Sequence, residues 1–113
     1  MLRPFSITVD IIVEDVGKIK MILSELLDKL KELNMERANI GGSVVLASDD
    51  MLIEITIPMP SIEPRFGVPY IPKHVVRIRV TSMSPLEIVR VSRIIDEVCR
   101  KIPGVRASLS EKT

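Results

Sequence analysis

The chain is poor in the residues that most often carry chemistry: of its 113 residues one is cysteine, one is histidine, and tryptophan and glutamine are absent. A lone thiol, Cys99, forms no internal disulfide, and with His74 as the sole imidazole neither a multi-thiolate nor a multi-histidine metal site can be assembled. No cofactor or metal is expected. Aromatic residues make up only 3%, so base-stacking platforms for single-stranded nucleic acid are scarce. No apolar run approaches the roughly 20 residues that span a bilayer. Met1-Leu2-Arg3-Pro4 leads into a strand pattern and not into a signal peptide. A cytoplasmic protein with no membrane role is the expectation.

An excess of charge of either sign is missing too. Sixteen basic residues face fifteen acidic ones, a formal net charge of +1, so no global field gathers phosphates or an anionic surface. Nucleic acid is not an expected partner. Charged residues at 27%, with two Asn and no Gln, resemble a thermophile's composition.

What is present is apolar material for one core. The length suits a single domain over residues 1–113. A hydrophobic fraction of 46% and a mean hydropathy of +0.28 are high for so small a body, which buries only about 65% of its unfolded surface. The surplus predicts a homo-oligomer, a dimer first, with an unidentified protein partner as the alternative.

Phe5, Ile7, Val9, Ile11 and Val13 alternate with more polar neighbours and predict a strand. Asp15 is placed as an N-cap, and Ile19, Ile22, Leu23, Leu26, Leu27, Leu30 and Leu33 recur at helical spacing, predicting a helix from Val16 to Asn34. Asn39-Ile40-Gly41-Gly42 breaks the pattern. Val44–Ala47 and Met51–Ile57 then read as a hairpin around Asp49-Asp50, and Val76, Ile78 and Val80 as another half-buried strand. Ser84-Pro85-Leu86-Glu87 has the form of a capping box with proline at the first helical position. The stripe Ile88, Val91, Ile95, Val98 and Ile102 follows, Pro103-Gly104 stops the helix, and Val105, Ala107 and Leu109 suggest a last strand. The expected fold is α+β: a ferredoxin-like two-layer sandwich with a mostly antiparallel sheet of four to five strands and two helices on one face.

Catalysis finds little support. His74 lacks a partner group, and Cys99 falls near a helix end, where a thiolate is not favoured. Asp10, Glu14, Asp15, Asp49, Asp50 and Glu54 would make paired carboxylates only if the first strand and the hairpin lay together. Asp49-Asp50 and Gly41-Gly42 both read as turns. The exposed sheet face is expected to carry Thr8, Asp10, Glu54, Thr56, Arg77, Arg79 and Arg106 as cross-strand ion pairs. No enzyme is expected.

Asp15-Val16-Gly17-Lys18-Ile19, a helix, and then Asn39-Ile40 before a strand resemble the opening of an ACT regulatory domain over about a third of the chain. The glycine follows the aspartate by two positions where the family usually has three, and no proline stands beside it. By that resemblance Asp15, Gly17 and Asn39 would line an amino-acid effector site between subunits. The resemblance implies a small-molecule-sensing domain as the alternative function. An RNA-binding component is a second alternative.

Five of the eight prolines fall between Ile57 and His74. X-Pro geometry holds such a segment extended, as an arm or loop at 58–73. Between the prolines lie Met59, Ile62, Arg65, Phe66, Val68, Tyr70 and Ile71, apolar anchors with a charged rim, which predict either an interface with another chain or, equally, a strap folded back over an edge strand of the same domain. The function expected is therefore a non-enzymatic interaction module that self-associates, a subunit of a larger complex docking through this segment.

Overall fold

A computed structural model describes residues 3–58 and 74–110. The elements run β1 (Phe5–Val13), α1 (Gly17–Leu30), β2 (Glu36–Ile40), β3 (Ser43–Ala47), β4 (Met51–Thr56), β5 (His74–Ser82), α2 (Pro85–Lys101) and β6 (Val105–Ser110). The six strands form one antiparallel sheet in the order β2-β3-β4-β5-β1-β6. The expected interface residues Met59, Ile62, Arg65, Phe66, Val68, Tyr70 and Ile71 lie outside the described residues.

Strand alternation sets the two faces. Val9, Ile11 and Val13 of β1 stand opposite Ile78, Val76 and His74 of β5, and Ile53 and Ile55 of β4 stand opposite Val80 and Ile78. These side chains share one face with Ile22, Leu26 and Leu30 of α1 and Ile88, Val91, Ile95 and Val98 of α2. Burying each such side chain contributes about 1.5–3 kcal/mol. The core is thus a single layer between the sheet and both helices.

The helix termini are built differently from the expectation. The residue capping α1 is Val16, one position later than expected, and the Asp15 carboxylate accepts the Gly17 N–H at 3.0 Å in an Asx turn just before the helix. At the other end a short 3-10 turn, Lys31–Leu33, closes on Asn34, whose φ of 52° ends the helix. Asparagine tolerates this left-handed conformation better than most residues.

Ser84 does cap α2 with extended backbone, followed by Pro85, but its hydroxyl makes no capping bond. Its own N–H is taken by the Ser82 hydroxyl at 3.0 Å. Ser82, only 1% exposed, occupies the role expected of Glu87 in a capping box. The last turn of α2 gives way to extended Ile102, and Gly104, at φ 79°, turns the chain into β6.

The sheet has six strands where the sequence pattern gives four to five. The added strand is β2, whose five residues are all exposed. It pairs only with β3, through a two-residue turn at Gly41-Gly42 with φ of 55° and 82°. Positive φ at both positions is what a tight hairpin that matches strand twist requires, and glycine adopts it without a Cβ penalty.

Candidate interaction surface

The face of the sheet away from the helices is polar and organised by register. Asp10 stands opposite Arg77, and Glu54 opposite Arg79. The Arg77 guanidinium donates to both Asp10 oxygens, at 2.9 and 3.3 Å, and this pairing raises the Arg77 pKa above its ordinary value. The expected ion-pair face is therefore present at Asp10–Arg77. Because β5 lies between β1 and β4, Asp10 and Glu54 are two strands apart, roughly 10 Å by strand spacing, and do not form a carboxylate pair.

The remaining polar candidates are dispersed. Asp49 and Asp50 sit in the β3–β4 turn, where Ser48 N–H bonds the Met51 carbonyl at 2.9 Å and the Ser48 hydroxyl bonds Asp50 at 3.1 Å. Beside this turn an open cleft of about 250 Å³ runs between Pro4, Leu52 and Met83. His74, half-buried, opens β5 opposite Val13. Cys99 is partly covered on α2, and burial pushes its thiol pKa up, which disfavours the nucleophilic thiolate. Among the described residues no three His, Cys, Asp or Glu side chains come together as metal ligands would.

Asp15 and Gly17 meet at the start of α1, whereas Asn39 stands on β2 opposite Val44. Four strand steps separate β2 from β1, about 19 Å. One chain therefore does not gather these three residues. Only a second copy bringing its β2 to this β1–α1 junction would.

Of the large apolar side chains left exposed, Val16, Met21, Ile40 and Ile57 are scattered, and five others lie toward one end of the sheet. Phe5 starts β1, Met83 follows β5, Leu86 and Val89 lie on the first turns of α2, and Leu109 is near the end of β6. The antiparallel register sets the end of β5 and the start of α2 beside the start of β1, with Phe5 opposite Ser82, while Leu109 stands opposite Val9, four residues (about 13 Å) along β1 from Phe5. Leu86 is 78% exposed, Leu109 60% and Phe5 52%. Spacing in the sequence does not reveal this exposure, because Phe5 and Leu109 continue core-facing patterns and are exposed only where the helix layer ends.

No protein-family model matches the chain, and no curated protein is significantly similar to it. Among solved structures it is similar to the "De novo designed protein Foldit4", at a TM-score of 0.61 and 13% identity, over 96% of this chain and 94% of that one. At that identity the likeness concerns the fold alone. No described helix is long and apolar enough to cross a membrane.

Proposed function

We propose that the chain is a non-enzymatic interaction module that self-associates and serves as a subunit of a larger assembly. The observation that carries this reading is the exposure of Phe5, Met83, Leu86, Val89 and Leu109 toward one end of the sheet. Left in water, these side chains forgo about 25 cal/mol for each Å² of apolar area a partner would cover. Strands β4-β5-β1-β6 with α1 and α2 are read as the ferredoxin-like unit, and β2–β3 as a hairpin added at its edge. The segment 58–73 is a second docking element in this reading.

The test is light scattering of the full chain. Leu86→Glu combined with Val89→Glu is expected to bring the mass down to the 12.7 kDa of one chain while the far-UV spectrum stays folded. An unchanged oligomer in that variant removes this end of the sheet from the interface. An amino-acid-sensing domain, the competing reading, requires a thermal shift, since ligand at 100 times its dissociation constant stabilises by about 2.7 kcal/mol. No shift with any amino acid is expected.

A further inference from the structure

Both edges of the sheet are open among the described residues, and they differ in kind. An edge strand offers a row of unpaired N–H and C=O groups, which proteins usually protect with charge, proline, a bulge or brevity. Edge strand β2 carries Glu36, Arg37 and Asn39 within five residues. Edge strand β6 has one charge, Arg106, and pairs with β1 in unbroken register from Val105 opposite Val13 to Ser110 opposite Thr8. No proline or bulge interrupts it.

From this contrast we infer that β6 is the self-association edge, pairing antiparallel with β6 of a second copy about a two-fold axis at Ala107. The inference rests on the self-associating reading given above and names its partner surface. It follows from pleat and charge. An axis normal to the sheet keeps the helices of both copies on one side, so directly opposed residues must have the same parity, and the axis must pass through a residue. An axis at Arg106 sets two arginines face to face. An axis at Ser108 shifts Val105 past the partner's described strand. An axis at Ala107 uses all of Val105–Leu109: Val105 meets Leu109 twice, Arg106 meets Ser108 twice, and the small Ala107 meets itself.

Neighbouring residues favour the same register. Leu109, 60% exposed, gains an apolar partner in Val105, which is itself half-buried against Val13. On the polar face Ser108 stands opposite Asp10, so the partner's Arg106 approaches the carboxylate that Arg77 holds from the other side. The ion pair Lys29–Glu97 fixes the flank of α2 that faces α1, leaving exposed Val89 on the opposite flank. Pairing at this edge extends the sheet from six strands to twelve.

Charge reversal at the axis tests the register. Ala107→Arg and Ala107→Glu, at an exposed position, are each expected to leave the far-UV spectrum unchanged and to raise the dimer dissociation constant at least about tenfold. Mixed in equal amounts, the two variants are expected to recover the dimer. Ala107→Cys in a Cys99→Ala background is expected to cross-link under mild oxidation, because opposed Cα atoms about 4.5–5.5 Å apart fall within disulfide reach. Ala38→Cys on β2 in the same background is expected not to. A dimer that survives both charge variants, or cross-links at position 38 and not at 107, overturns the β6 edge while leaving self-association standing. An unmodified chain that is monomeric at every concentration overturns both.

Discussion

Asp10 and Arg77 face each other across β1 and β5, joined by two hydrogen bonds of 2.9 and 3.3 Å on the open face of the sheet. The pair is forked, yet its side chains are 24% and 49% exposed, so water screens it. A double-mutant cycle with Asp10→Asn and Arg77→Gln is expected to give a coupling of about 0.2–1 kcal/mol, shrinking as salt is added. A coupling that is large and indifferent to salt would mean that this face is covered.

The core-facing side is where stability resides. Ile53 of β4 is fully buried between Leu46 and Val80 in register. Ile53→Ala is expected to cost about 2–5 kcal/mol in urea unfolding. Ile40→Ala, on the exposed edge strand, is expected to stay within about 0.5 kcal/mol of the unmodified chain.

Two glycines separate backbone strain from backbone entropy. Gly104 has a φ of 79°, and a Cβ there would stand 3.0 Å from the Lys18 Nζ. Gly104→Ala is expected to destabilise by about 1–2 kcal/mol, chiefly through the left-handed conformation, since the lysine tip can move. Gly17 opens α1 with room for a Cβ, its nearest neighbour being the Asp15 carboxylate at 3.4 Å. Gly17→Ala is expected to stabilise by about 0.4–1 kcal/mol. Thermal unfolding of the two variants checks the opposite signs.

Lys29 of α1 and Glu97 of α2 form a 2.7 Å ion pair that links the helices. The hydrogen bond to Lys29 lowers the Glu97 pKa below its ordinary 4.5, and the bond to Glu97 raises the Lys29 pKa above its ordinary 10.5. The Glu97 contribution is therefore fully present above pH 4.5 and lost as pH falls through its lowered folded value. The Lys29 contribution is fully present below pH 10.5 and lost as pH rises through its raised one. Glu97→Gln is expected to be less stable than the unmodified chain at pH 7 and equal to it once the glutamate is protonated. Urea titrations at neutral and strongly acidic pH measure the difference.

How legible the fold is in the sequence depends on contact with the core. Residues of β1, β4 and β5 alternate because one face meets α1 and α2, and the stripes of both helices show for the same reason. Glu36–Ile40 touches no core on either face and so carries no periodicity. Only the Gly41-Gly42 turn hints that a strand precedes it. The Asp10–Arg77 pair is readable from alternation, whereas the apolar exposure is not, because it depends on where the helices stop over the sheet. The Ser82 hydroxyl at the start of α2 is hidden for a similar reason: the N–H of Ser84 finds its acceptor in the preceding strand, outside the capping pattern.

Sedimentation equilibrium of the unmodified chain over a wide concentration range tests self-association most directly. The expected result is a weight-average mass that rises from 12.7 kDa toward twice that value as concentration increases. A mass fixed at 12.7 kDa at every concentration would contradict it.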